Sequence, residues 1–299
     1  MIPEPLFMTI LTSQKSGFGK EQELSPATIA ELKKYYLNSV EYREHLVAKP
    51  VGYFERYVTA VCVSTTSKDL ILDLGCGTGE STDEIFKKNR RVIGTDLSNL
   101  FLGRQTGTGG ARFVSADAVS LPFPSASFDV VGAMEFIEHV WPVSKVLSEM
   151  DRVLKPGGTI VLSSPNLVSP LRPVLDLPAI LLKGQFRPPL YSSYGEMFKY
   201  FWFATRCTLR KLSSKEPQFL SRQPDLTQAD SGGDFDAVYL SNARDISLFF
   251  ANKGYKISYF SSGSVSLANK ARLFPLKFFG SVWTSYVLCA AKPDRQECE

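Results

Sequence analysis

The sequence predicts an α/β protein built on a mostly parallel sheet with helices on both faces. Three observations lead there. Short apolar runs of strand type alternate with helix-forming segments from Asp69 to Ser163. The chain between successive runs is long enough for right-handed crossovers. The first run, Ile71–Leu74, passes directly into a glycine-rich turn, DLGCGTG over Asp73–Gly79, and then into a helix.

Taken in order, residues 1 to about 24 read as an irregular lead-in. Ser25-Pro26 marks a helix start, with Ser as the cap and Pro in the first turn. That helix is expected to run to about Leu46, with Ile29, Leu32, Tyr36 and Val40 at helical spacing, until Pro50 breaks it. A second helix is expected from Val51 to about Val63. The pair either packs on the sheet edge or covers the cleft. After the first strand come a helix over Gly79–Lys88, a second strand over Arg91–Thr95 ending in Asp96, and a short helix near Leu100. A glycine-rich reset lies near residues 106–111. The third strand is Ala111–Ser115, the fourth Phe128–Ala133. A helix over Val143–Leu154 stops at Lys155-Pro156-Gly157-Gly158, and the fifth strand is Thr159–Ser163. The rhythm then fails over residues 167–240. It resumes with a helix over Ala243–Lys253, a sixth strand over Tyr255–Phe260 and a seventh over Thr284–Ala290. The last seven residues read as a frayed tail.

Composition is that of a water-exposed globular chain, 44% hydrophobic and 21% charged with a formal charge of +4. Five scattered cysteines, without C-x-x-C spacing, argue against a disulfide framework or a cysteine metal site. The N-terminus lacks a basic start followed by a long apolar core, so no signal peptide or spanning helix is expected. A cytoplasmic protein is expected on these grounds.

The turn after the first strand is a cofactor cradle. Glycines at every second position accept positive φ and admit a ligand to the backbone, and Thr78 is expected to cap the helix whose free N–H groups face the turn. Asp96 ends the second strand about twenty residues later, where a carboxylate accepts from ribose hydroxyls. Asp117 follows the third strand and suits the exocyclic amine of a base, with the Ala118 N–H beside it. Asp73 is a carboxylate in an apolar run; it needs partners, either loop N–H groups or a cationic part of the ligand. The spacing G-x-G-x-G departs from the G-x-G-x-x-G of dinucleotide enzymes, which weakens a nicotinamide reading.

DLGCGTG, the acids of VIGTD and FVSAD, LPFPSASFDVV, and LKPGG before the fifth strand together resemble the class I S-adenosylmethionine-dependent methyltransferases. The likeness is close from Asp69 to Pro165 and loose beyond. EFIEHV after the fourth strand and SSPN after the fifth resemble the small-molecule branch that contains quinone-biosynthesis methyltransferases. The resemblance implies a Rossmann-like seven-stranded sheet, with strand seven antiparallel between strands five and six, and S-adenosyl-L-methionine as cofactor with S-adenosyl-L-homocysteine as product. It implies cofactor contacts from Asp73, Gly75, Cys76, Gly77, Thr78 and Gly79, from Asp96 and Leu97, from Ala116, Asp117 and Ala118, and from Glu135. No metal is expected.

Methyl transfer from a sulfonium is an in-line displacement, so the protein chiefly aligns the reactants. A hydroxyl acceptor must also lose a proton, which suits histidine. Of the two histidines, His45 reads as a surface residue. His139, flanked by Glu135 and Glu138, lies at the carboxyl edge of the sheet where such folds bind ligands. His139 is the candidate general base, with Glu135 beside it; a backbone-bonded helix-start role is the alternative. A hydroxyl oxygen is the expected acceptor, with N- or C-methylation and a non-catalytic regulatory subunit as alternatives. No N-P-P-Y-type sequence follows the fourth strand, which argues against adenine-in-DNA or glutamine amide acceptors.

The domain division expected is an N-terminal helical extension (1–66), a cofactor-binding core (67–166 and 241–292), an insertion (167–240) and a tail (293–299). Between 170 and 222 the insertion is rich in Leu, Pro, aromatic and basic residues. It reads first as a lid over a small-molecule or lipid-linked acceptor, then as a peripheral membrane surface, and least as a nucleic-acid groove. Asp234 and Asp236 read as turn or cap residues ahead of a helix, with a reach into the acceptor site as the alternative. The oligomeric state is left open.

Overall fold

A computed structural model describes residues 24–294, apart from 48, 51, 89, 103–110, 185, 188–189, 230–232 and 260–283, and apart from the side chain of His45. The lead-in, the reset near 106–111, Phe260, most of the tail and the His45 surface role lie outside the described residues.

The sheet has seven strands: β1 Leu70–Leu74, β2 Arg91–Asp96, β3 Arg112–Ser115, β4 Phe128–Met134, β5 Leu154–Pro165, β6 Lys256–Tyr259 and β7 Ser285–Ala291. Their order is β3-β2-β1-β4-β5-β7-β6. The first five are parallel, and β7 runs antiparallel to β5 and β6. The crossovers put both faces under cover, so adjacent strand residues point into different cores. Ile71, Val130, Val161 and Val287 meet Tyr57, Val61 and Ile85 on one face. Leu72, Val131, Leu162 and Leu288 meet Leu147, Met150, Ile246 and Phe250 on the other.

The helices are α1 Pro26–Asn38, α2 Val40–Val47, α3 Glu55–Val63, α4 Glu80–Lys87, α5 Asn99–Leu102, α6 Val143–Val153, α7 Arg172–Lys183, α8 Tyr194–Ser213 and α9 Ala243–Ala251. The helix expected over 25–46 is two helices broken at Ser39, whose backbone closes α1 and whose hydroxyl accepts from Tyr42 N at 3.0 Å. The division is functional as well. α3 packs on the sheet face, whereas α1 and α2 form walls of the cleft. β5 starts five residues earlier than the apolar pattern suggested, because Leu154–Gly158 also extends beside β4 after a register shift near Phe128.

The insertion is helical. The inner sides of α7 and α8 meet around Ile180, Tyr191, Tyr200 and Ala204. Deeper, Phe203 and Cys207 pack on Leu167, Val168 and Leu240. The end of α8 is fixed to α9 by the buried Lys211–Asp245 ion pair, with Tyr239 and the Gln218 backbone filling the remaining valences.

Candidate active site

The loop after β1 is held on the end of β2. Gly75 N and Cys76 N both donate to Thr95 O, at 2.7 and 3.0 Å. Gly75 has φ +68°, and a Cβ there would lie 2.0 Å from the Phe136 ring. Only glycine permits both the turn and this approach. Gly77 N donates to Asp96 Oδ2 at 2.9 Å and Ser98 N to Asp96 Oδ1 at 3.0 Å. Burial raises the Asp96 pKa, against the lowering effect of these N–H groups.

Two expectations for this loop are corrected. Thr78 does not cap α4. The cap position is Gly79 at φ +90°, without a side-chain bond, and the Thr78 hydroxyl donates to the Glu80 carboxylate at 2.5 Å. Asp73 takes hydroxyl groups, not loop N–H groups, as its partners, although it also borders the second cavity at this site. Its carboxylate is 1% exposed and accepts from Tyr57 (2.6 Å), Ser81 (2.7 Å) and Thr82 (2.6 Å) hydroxyls. Burial raises its pKa, and the three hydroxyls oppose that. Asp73 thus ties β1, α3 and α4 together beneath the turn.

A cavity of about 120 Å³ opens above the turn at the carboxyl edge of the sheet. Gly75, Gly77, Asp96 and Leu97 line one side, and Ala116, Asp117 and Ala118 another. The remaining wall comes from α1 and α2, through Leu32, Lys33, Tyr36, Tyr42 and Leu46. Lys33 Nζ lies 2.5 Å from Asp117 Oδ2, while Asp117 Oδ1 accepts from Val119 N at 3.1 Å. A half-exposed ion pair of this kind is weak and readily rearranged.

A second cavity, about 350 Å³, adjoins the first and shares Gly75, Gly77, Glu135 and His139 with it. Cys76 and Thr78 also border it, as do Asp234, Asp236, Arg172 and Arg187 from the insertion side. Glu135 takes φ +46°, a costly conformation for a residue with a Cβ, held by its N–H to Ser163 O and by the Tyr53 hydroxyl on its carboxylate. Gly79 alone of the expected cofactor residues borders neither cavity.

His139 stands at the junction. It ends the short 3-10 turn Ile137–His139, and its Nδ1 lies 3.1 Å from Asp236 Oδ2. The approach is off the N–H axis, so the contact is an ion pair more than an aligned hydrogen bond. Burial alone would lower the His139 pKa; Asp236, with Glu138 and Asp234 behind it, outweighs this and raises it to about 9. Asp236 is 1% exposed, also accepts from the Tyr36 hydroxyl at 2.8 Å, and titrates below the usual carboxylate range. Glu138 is fully buried, and desolvation pushes its pKa up to about 8. Its carboxylate accepts from Ser164 Oγ at 3.1 Å, and its backbone oxygen accepts from Val238 N and Tyr239 N, which fastens the insertion to this turn. Donor atoms of Glu138, His139 and Asp234 lie within 4.8 Å of one another, although a charged imidazole offers no lone pair to a cation.

Sequence reasoning found the cradle and His139 but did not find Tyr36, Tyr53, Lys33 or Arg172, and read Asp236 first as a turn or cap residue, with a reach into the acceptor site as its alternative. Tyr36 reads as a core position of α1 by its spacing, and Asp236 stands nearly a hundred residues from His139. No local pattern links them.

A seven-stranded sheet with β7 reversed, a G-x-G-x-G turn and an acid at the ends of β2 and β3 define an S-adenosylmethionine-binding fold of the methyltransferase type. Residues 72–162 match the methyltransferase domain family, and over this segment the chain is similar to S-adenosylmethionine-dependent methyltransferases. Similar curated proteins include a probable S-adenosylmethionine-dependent methyltransferase of Mycolicibacterium smegmatis, 38% identical over 33% of this chain and 39% of that protein. A demethylmenaquinone methyltransferase of Clavibacter sepedonicus is 40% identical over 36% of this chain and 45% of its own. A ubiquinone biosynthesis O-methyltransferase of Paracidovorax citrulli is 29% identical over 58% and 76%. The chain spans about two fifths to half the length of the first relatives it matches. Among solved structures, a Haemonchus contortus phosphoethanolamine N-methyltransferase has a TM-score of 0.52 at 14% identity, covering 91% of this chain and 61% of that one. A Burkholderia thailandensis 1,6-didemethyltoxoflavin N1-methyltransferase has a TM-score of 0.51 at 12% identity, covering 93% of this chain and 95% of that one. At such identities these two show the shared fold alone. No described helix is long and apolar enough to cross a membrane.

Proposed function

We propose that this protein transfers a methyl group from S-adenosylmethionine to the hydroxyl oxygen of a small-molecule or lipid-linked acceptor, with His139 as general base. The observation that carries this reading is the junction of the two cavities at His139 and Glu135. The cradle residues fit the cofactor: glycines admit it to the backbone, Asp96 suits the ribose and Asp117 the adenine amine. Lys33 would yield or tilt as the amine enters. When bound, the cofactor supplies an electrophilic methyl on a sulfonium. The relatives named for ubiquinone and demethylmenaquinone methylation lend support to a small-molecule acceptor.

His139 orients and deprotonates. Asp236 faces Nδ1, and Nε2, 3.9 Å from Glu138 Oε1, is the nitrogen offered to the acceptor hydroxyl. As the acceptor oxygen takes the methyl, the hydroxyl proton would pass to Nε2 and Asp236 would stabilise the resulting imidazolium. The base form is the neutral ring. Because its pKa is raised to about 9, turnover on a hydroxyl should climb with pH through that value. No step calls for a metal.

The test is release of S-adenosylhomocysteine from methyl-labelled cofactor in the presence of fractionated cell extract, with the label traced to its acceptor atom. Label on an oxygen supports the reading. Label on nitrogen or carbon, or cofactor binding without turnover on any fraction, would sink it.

A further inference from the structure

Among the described residues, the outer face of the α7–α8 hairpin has most of the exposed large hydrophobic side chains. Thirteen large hydrophobic side chains are exposed among the described residues, and nine of them are on these two helices: Val174, Leu175, Leu177, Leu181 and Leu182 of α7, and Tyr194, Phe198, Trp202 and Leu209 of α8. Leu182 is 83% exposed. Packing does not account for them, because the inner faces already supply Ile180, Tyr191, Tyr200 and Ala204 to the hairpin core. Isolated exposed apolar residues are ordinary, but a contiguous set marks an interaction surface.

Charge decides what fits it. Residues 172–215 contain eight Lys and Arg against two acids, Asp176 and Glu196, a formal +6 in a chain whose total is +4. The rest of the chain is therefore net −2. Asp176 is already occupied by Arg187 and the Tyr191 hydroxyl. Lys183, Lys199, Arg206 and Lys215 are exposed, and they sit beside the apolar residues instead of on an opposite face. On α8, Tyr194, Phe198 and Trp202 recur every four residues, so they form one stripe; Lys199 adjoins it and Arg206 continues it towards Leu209. Rings with aliphatic and basic neighbours match the layered boundary of a bilayer, where apolar groups enter the acyl edge and long basic stems reach back to anionic headgroups. A soluble protein partner would need acids to match the cations and an apolar groove to match the stripe; an anionic lipid surface supplies both over any area. The hairpin is also continuous with the second cavity, to which Arg172 and Arg187 contribute.

We infer that the outer face of α7–α8 docks on an anionic lipid bilayer, lying along its surface without spanning it. The test is flotation of the full chain with vesicles of phosphatidylcholine alone and of phosphatidylcholine mixed with phosphatidylglycerol. Binding should be at least about tenfold stronger to the anionic vesicles. Two double variants separate the components: Leu182→Glu with Trp202→Glu, and Lys199→Glu with Arg206→Glu. Each should lose at least about tenfold in binding, with an unchanged thermal unfolding midpoint because all four sites are exposed. Absence of binding to anionic vesicles overturns the inference. So does wild-type binding by the apolar double variant, which would leave only a non-specific basic surface. Self-association of the wild type in sedimentation, abolished by the apolar double variant and unaffected by vesicles, would assign the face to a second copy of the chain instead.

Discussion

The two adjoining cavities are built in different ways. The first combines the turn after β1 and the segments following β2 and β3 with a wall of side chains from α1 and α2. Its shape depends on positive-φ glycines and on N–H groups aimed at Asp96. The second is made of side chains from distant parts of the chain, with Tyr53 from before the sheet, Glu135 and His139 after β4, and Arg172, Asp234 and Asp236 from the insertion. Two of its ionisable groups perturb each other: Asp236 raises the His139 pKa against burial, and His139 lowers that of Asp236. A cavity of the first kind suits one invariant ligand. In the proposed reading the second cavity chooses the acceptor, and the residues it does not share with the first, such as Arg172, Arg187 and Asp234, can change without altering the cradle.

That separation is open to attack. The largest effect should come from His139→Gln, which removes the proposed base but keeps a polar side chain at the wall the two cavities share and leaves Asp96, Asp117 and the glycine turn in place. Turnover should fall by roughly 10²–10⁴-fold, with S-adenosylhomocysteine affinity by calorimetry nearly unchanged. Equal loss of both would mean that the cavities are not separable. Asp96→Ala is the converse. It removes a charged acceptor of two loop N–H groups and of the ribose, and affinity should drop about tenfold to a hundredfold or more. Retained affinity would dismiss Asp96 as the ribose anchor. Gly75→Ala sets a methyl against Phe136 and forces positive φ on a residue with a Cβ. A loss of about 1–3 kcal/mol in denaturant unfolding is expected, and wild-type stability would show that the turn relaxes freely. Asp236→Asn acts on the titration. Removing the charge that raises the His139 pKa should move the ascending limb of the kcat/KM profile from about pH 9 towards neutrality. A limb that stays in place belongs to another group. The smallest effect expected is from EDTA: turnover should be unchanged, and a loss restored by a divalent cation would give the Glu138–His139–Asp234 cluster a different role.

Legibility followed the same division. The strands, their order of appearance and the cradle could be read because each depends on neighbours in sequence. The break at Ser39 was missed because Ile29, Leu32, Tyr36 and Val40 keep helical spacing across it. Thr78 was read as a cap from its residue type, but Gly79 takes the position because the turn there needs φ +90°. Asp73 was recognised as needing partners; which ones depended on α3 and α4 reaching the same point beneath β1.

By itself, the sequence determined a parallel α/β sheet, a glycine turn with acids at the next two strand ends, and hence the class of cofactor, since these features come from period-two burial and backbone freedom acting over a few residues. Only the tertiary structure decided that α1 closes the first cavity, that Asp236 is the partner of His139 rather than a cap, and that the insertion turns an apolar, basic face outward. Those outcomes depend on contacts across one or two hundred residues, and desolvation and Coulomb coupling depend on distance in space, which spacing along the chain does not encode.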